Sequence, residues 1–158
     1  MRMKAEKTNA LRLLDAAGIK YDLHEYDAEE DRGEEVARLV GKDCDEVFKT
    51  LVTVSDKGVN FVFVIPVNTT LNLKKAARAA GAKSVQMIKQ KELFPLTGYV
   101  HGGCSPVGMK KAFATFINET AVLFDTVCVS AGKRGLQMEI SPASLMDYTG
   151  ATYADLTD

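Results

Sequence analysis

The apolar positions of this chain change period several times, and each change marks an element. Over residues 5–17 (AEKTNALRLLDAA), Ala10, Leu13, Leu14 and Ala17 recur at helical spacing and Gly18 supplies a stop, which predicts a helix. Residues 19–26 (IKYDLHEY) alternate instead. Ile19, Tyr21 and Leu23 share one face and Lys20, Asp22, His24 and Tyr26 the other, the pattern of a half-buried strand. The acidic stretch DAEEDRG reads as a loop leading into a short helix, EEVARLVG. Residues 46–55 (EVFKTLVTVS) are β-branched and apolar, and Asp56-Lys57-Gly58 turns them back into VNFVFVIPV as a hairpin.

Helical spacing returns in LNLKKAARAAG, with Asn72 as N-cap and Gly81 as the C-terminal stop. SVQMI is a short strand, and KQKELF a helical turn that Pro95 is expected to end. KKAFATFI, AVLFDTVCVS and GLQMEI read as strands, with turns at Asn118-Glu119 and over residues 131–135. Ser141-Pro142 opens a last helix, the serine as cap and the proline at the first helical position. Six or more strands among a few short helices lack the strand–helix–strand rhythm of a doubly wound sheet. The expected fold is mixed α/β, a curved, barrel-like mixed sheet with short helices packed outside. No repeat, low-complexity tract or linker interrupts it, so residues 1–158 are read as a single domain.

Composition adds limits. At 158 residues, 46% apolar and 26% charged, the chain can bury a core without metal or disulfide support. Its longest apolar run, VNFVFVIPV, is too short to cross a bilayer, and MRMKAEKTNALRLL has no apolar core of a secretory signal. Cys44, Cys104 and Cys128 are odd in number, lack CxxC spacing and have two histidines to join them. That points away from a zinc site or a disulfide framework and towards a reducing cytoplasm, with no metal or other cofactor expected. A net charge of −1, from 20 basic and 21 acidic residues, speaks against an extended grip on DNA or RNA but leaves room for a small footprint. The basic clusters Lys74-Lys75-Arg78, Lys89-Lys91, Lys110-Lys111 and Lys133-Arg134 read as solvated surface.

Three groups are candidates for chemistry. Lys49 lies mid-strand in VFKTLV and shares a face with Val47, Leu51 and Thr53. A lysine there either snorkels at an edge or points into a pocket, where it can hold a phosphate or a carbonyl oxygen. In GYVHGGCSP (98–106), Gly102-Gly103 allows positive φ and close approach to the backbone, whose N–H groups can form an anion-binding concavity. The same stretch holds His101, Cys104 and Ser105. A spacing of three in a glycine-rich turn does not make thiol and imidazole face each other, and no third group is identifiable to orient the histidine. Ser105 is not in a GxSxG elbow, because Val107 stands where the second glycine is required. Cys104 is therefore read as a bystander thiol, His24 as a surface residue, and Cys44 and Cys128 as structural.

Taken together, VFKTLV at 47–52, LNLKKAA at 71–77, GYVHGGCSP at 98–106 and VSAGKRGLQMEISPASL at 129–145 resemble the YbaK/EbsC family, small proteins related to the editing domain inserted in bacterial prolyl-tRNA synthetases. The resemblance implies a barrel-like mixed α/β fold and deacylation of mischarged tRNA, nearest to the free-standing Cys-tRNA(Pro) deacylases, with Ala-tRNA(Pro) as the alternative substrate. It assigns Lys49 as the functional, catalytic lysine, and gives substrate-binding roles to Tyr26, the tyrosine ending the first strand, and to Gly102, Gly103, Ser105 and Pro106 of the Gly-Gly-x-Ser-Pro loop, with Cys104 at the variable position. It also implies that the tRNA(Pro) acceptor end is the substrate, that prolyl-tRNA synthetase is a transient partner, and that neither membrane nor DNA is bound. For a cysteinyl ester, the substrate's own thiol is a further candidate nucleophile. The rival readings are a non-enzymatic module that binds a nucleotide end and a hydrolase using Cys104.

Overall fold

A computed structural model describes residues 7–30 and 32–158. The first two residues of the predicted N-terminal helix, the start of the chain and Asp31 of the acidic loop lie outside them. Helix α1 spans Asn9–Ala16, capped by Thr8, whose Oγ1 accepts from the Leu11 N–H at 3.2 Å. The strands are β1 (Asp22–Glu25), β2 (Phe48–Ser55), β3 (Asn60–Pro66), β4 (Val85–Met87), β5 (Ala114–Asn118), β6 (Val127–Lys133), β7 (Leu136–Ile140) and β8 (Thr152–Ala154). Helices α2 (Gly33–Leu39), α3 (Leu73–Ala80), α4 (Leu93–Thr97) and α5 (Pro142–Thr149) lie between them.

The strands form two sheets, β1-β7-β6 and β4-β2-β3-β5-β8. The smaller is antiparallel, while the larger joins antiparallel β4-β2-β3 to parallel β3-β5-β8. One parallel bridge, Val47 to Cys128, links β2 and β6 across the sheets. This is the mixed α/β arrangement that the pattern predicts, with the strands divided between two sheets.

The apolar run of β3 is buried on both faces, which explains why it does not alternate. Val62 and Val64 enter the main core with Val52, Val129, Met138, Ile140, Leu145 and the α1 residues Leu11 and Leu14. Phe63 and Ile65 turn to the opposite face against Ala76 and Ala77 of α3, and Phe63 stacks on Phe116 with centroids 5.4 Å apart. Asn72 caps α3, accepting from the Lys75 N–H at 3.0 Å, and Gly81 closes it in the left-handed region at φ 71°. Ser141 caps α5 ahead of Pro142, as its sequence predicts.

Several expectations change. Pro95 does not end the turn but lies within α4, in the first turn, where a missing N–H costs no helical hydrogen bond. AVLFDTVCVS becomes strand only from Val127; residues 119–123 form a 3₁₀ turn that leaves Val122 and Leu123 exposed. KKAFATFI is strand from Ala114. Ile19 and Tyr21 pack against the core as the alternation predicts, but from Leu23 onward the faces exchange: Leu23 is exposed, whereas His24 and Tyr26 are half-buried. Strand β8 is not legible in the sequence, since TYA carries too short a pattern.

Candidate active site

Beyond the Val47–Cys128 bridge no ladder joins β2 to β6 among the described residues, and a cleft opens in that gap. Residues 47–51 form one wall, Ser130 and Gln137 the other, with Gly33 and Val36 of α2, Leu93, and the 101–104 loop around the mouth. Its cavity volume is about 160 Å³, below the ~300–1,000 Å³ of sites that enclose a whole drug-sized ligand, and its mouth is open.

The wall contributed by the smaller sheet is polar for a reason of register. Cys128 pairs with Glu139, Ser130 with Gln137, and Gln137 with His24, so these side chains share one face. Val129, Leu136, Met138 and Ile140 point the other way, into the core. On β2 the alternation separates Phe48, Thr50 and Val52, directed to the core side, from Val47, Lys49 and Leu51. The cleft wraps the strand's edge, so Lys49 and Thr50 both line it.

Lys49 is half-buried and, among the described residues, makes no hydrogen bond or ion pair. Desolvation lowers its pKa from the ordinary lysine value, opposed in part by the carboxylate of Glu34 on α2. Tyr26, Lys49 and Gly102 are brought together around one cleft. Gly103, Ser105 and Pro106 lie buried in the wall behind it. Gly102 has φ 86°. Gly103 is required by proximity: a Cβ there would meet the Lys133–Arg134 backbone at 2.9 Å. Its N–H donates to the Val100 carbonyl at 2.9 Å, and the Ser105 hydroxyl, with no exposed surface, accepts from the Val107 N–H at 3.2 Å. Both groups are thus engaged inside the loop, where the sequence had suggested they face a ligand.

The thiol of Cys104 is buried, and desolvation pushes its pKa up to about 12. The thiol is therefore held in its protonated, unreactive form at neutral pH. His101 is exposed at the mouth and shares no hydrogen bond with it. The arrangement is not that of a cysteine–histidine dyad.

His24 is not a free surface histidine. Its Nε2 lies 2.8 Å from Glu139 Oε1, while Glu139 Oε2 accepts from Lys42 Nζ at 3.0 Å and Thr126 Oγ1 at 2.5 Å. The Thr126, His24 and Lys42 bonds hold the Glu139 carboxyl down at about 2. With Cys128, the donor atoms of His24 and Glu139 fall within 4.8 Å of one another, a set able to hold a borderline metal ion. Here the Lys42 ammonium already neutralises that carboxylate.

The sequence patterns missed Thr50, Ser130 and Gln137. Their signal was present in the alternation Cys128-x-Ser130 and Gln137-x-Glu139, polar on the face opposite the core residues.

The model of the aminoacyl-tRNA editing domain matches residues 28–148, a segment that carries both walls of this cleft. The chain belongs to the aminoacyl-tRNA editing domain family. Among its relatives within this family, EbsC of Enterococcus faecalis, provisionally assigned by name as a Cys-tRNA(Pro)/Cys-tRNA(Cys) deacylase, is 44% identical over 154 residues, covering 96% of this chain and 94% of that protein. A proline–tRNA ligase of Shouchella clausii is 29% identical over 124 residues, 78% of this chain but 21% of the ligase. A crystal structure described as a provisional trans-editing enzyme for prolyl-tRNA synthetase superposes with a TM-score of 0.85 at 27% identity, covering 98% of this chain and 99% of that one. No helix among the described residues of this editing-domain protein is long and apolar enough to cross a membrane.

Proposed function

We propose that the whole chain acts as one editing domain that deacylates mischarged tRNA in trans, in the cytoplasm, with Cys-tRNA(Pro) as its substrate. The observation that carries this reading is Lys49, a partly desolvated ammonium without a carboxylate in contact, lining an open cleft beside Tyr26 and Gly102. The 44% identity to EbsC supports the choice of a cysteinyl ester.

An aminoacyl ester is already activated, so the protein's contribution is positioning and charge stabilisation. Lys49 faces the ester carbonyl and stabilises the negative charge that develops on its oxygen. Tyr26 and the Gly102 backbone hold the terminal adenosine, while Gly103, Ser105 and Pro106 fix the loop from behind. The substrate's thiol then attacks its own carbonyl carbon. The C–S bond forms, the ester C–O bond breaks, the thiol proton ends on the departing ribose hydroxyl, and cysteine leaves as a four-membered thiolactone. Atoms and charge balance without an enzyme nucleophile, in keeping with the suppressed Cys104 thiol. Because only the acceptor end enters, selection of tRNA(Pro) falls to prolyl-tRNA synthetase in a transient complex.

The test is release of radiolabelled cysteine from Cys-tRNA(Pro) at catalytic protein concentration. Lys49→Ala is expected to lower kcat/KM by about 10²-fold or more, and Cys104→Ala to stay within a few-fold of wild type. Loss with Cys104→Ala and not with Lys49→Ala would replace this mechanism with cysteine hydrolysis. No release of cysteine or of alanine from Ala-tRNA(Pro) would leave a binding module. Equal rates on seryl and cysteinyl esters would remove the thiol step.

A further inference from the structure

The cleft contains two polar atoms with no use in the fold. Gln137 is 6% exposed, its side-chain amide makes no hydrogen bond among the described residues, and its Oε1 is fully enclosed. The Thr50 Oγ1 is likewise enclosed and unpartnered. They come from opposite walls, β7 and β2, and both line the cleft beside Lys49. Leaving a buried carbonyl or hydroxyl unsatisfied costs ~1–3 kcal/mol, so two such groups in one cavity indicate partners that arrive with a ligand.

The chemistry of those atoms limits the partner. An amide oxygen only accepts, so it needs a hydrogen-bond donor. Both groups are uncharged, and the nearby Lys49 ammonium disfavours a second cation. A carboxylate would hold an ammonium tightly; an amide oxygen with a hydroxyl suits a neutral amine. On an aminoacyl ester the α-amino group is the donor bonded one carbon from the carbonyl that Lys49 faces, and the electron-withdrawing ester favours its neutral form near pH 7.

We infer that Gln137 Oε1 and Thr50 Oγ1 form a subsite for the neutral α-amino group of the aminoacyl ester. The subsite rests on the deacylase reading and extends it: the protein recognises an amino acid by its amine and leaves the side-chain thiol free to react. Acyl groups lacking the amine leave both atoms buried and unpaired, and so are rejected as esters of the wrong class.

The experiment compares the cysteinyl ester of tRNA(Pro) with its desamino counterpart, the 3-mercaptopropionyl ester, which keeps the thiol. Wild type is expected to prefer the cysteinyl ester by roughly tenfold or more in kcat/KM. In Gln137→Leu, and in the near-isosteric Gln137→Met and Thr50→Val, that preference ratio should fall towards unity through loss on the cysteinyl ester. If the ratio stays at its wild-type value while both rates fall together, the two residues only shape the cleft and the subsite is wrong. A wild type with no preference also overturns it. As a readout independent of turnover, calorimetry with 3′-cysteinylamino-adenosine and its desamino analogue should show the same discrimination in wild type and its loss in Thr50→Val. Failure of wild type to cleave either ester, with tight discrimination retained in calorimetry, would sink the deacylase reading while leaving the amine subsite standing.

Discussion

Lys49 shows how function and stability pull apart at a single residue. Its pKa is lowered because the cleft removes water from the ammonium faster than Glu34 compensates. The charged form is therefore worse off in the folded protein than in the unfolded chain, and Lys49 lowers stability at every pH below its unfolded pKa near 10.5, a penalty that disappears above that pH. Lys49→Met should therefore raise the melting temperature at pH 7 while abolishing deacylation, and the gain should shrink in melts recorded at alkaline pH. The same shift makes the activity of wild type fall at a lower pH than an ordinary lysine would give, to be read from a kcat/KM profile on the alkaline side. Cys104 illustrates the opposite case. Burial raises its thiol to about 12, so a residue that looks reactive in GGCSP is chemically silent.

At the scale of elements, the cleft depends on one close approach and one ion cluster. Gly33 opens α2 against the end of β3's continuation, where an added Cβ would lie 2.6 Å from Val67 Cβ. The Cβ of Val67 is fixed to the backbone and cannot swing aside as the tip of a long side chain can, so Gly33→Ala should displace α2, the wall that carries Val36. We expect a loss of about 1–3 kcal/mol in urea unfolding and a rise in KM, since the lining moves and the chemistry does not. Glu139 ties β7 to His24 on β1, to Lys42 beyond α2 and to Thr126 ahead of β6. Its carboxyl, held at about 2 against an ordinary 4.5, adds stability that is complete above pH 4.5 and is lost as pH falls through 2. Glu139→Gln should cost roughly 1–2 kcal/mol at pH 7, allowing for solvent screening. The deficit relative to wild type should close in acid unfolding curves between pH 4.5 and 2.

For the whole molecule, a net charge of −1 sets the terms of RNA binding. A protein that neutralises few phosphates gains little from counterion release, so its affinity for uncharged tRNA should be weak and its salt dependence shallow. Titrations of tRNA(Pro) between 50 and 200 mM salt are expected to change affinity by about tenfold or less. A loss of about 10³-fold would reveal an extended footprint and contradict the acceptor-end reading.

How much of this was legible beforehand follows from the range of the interactions involved. Helix caps at Asn72 and Ser141, the β2–β3 hairpin and the doubly buried β3 are set by neighbours a few residues apart, and the amino-acid pattern alone determined them. So did Lys49 as an anomalous cation in an apolar strand, and the need for glycine at 102 and 103. What the tertiary structure decided is which of these groups meet. Gly103 proved to serve a backbone contact with Lys133–Arg134, some thirty positions away, and Ser105 turned inward. His24 found Glu139 through a strand register that no local pattern encodes, and Gln137 and Thr50 became orphan acceptors only because β2 and β6 separate after one bridge. Local sequence fixes dihedrals and faces through short-range sterics and burial, whereas a cleft is the space left between elements that pack elsewhere, and that space exists only once the chain has folded.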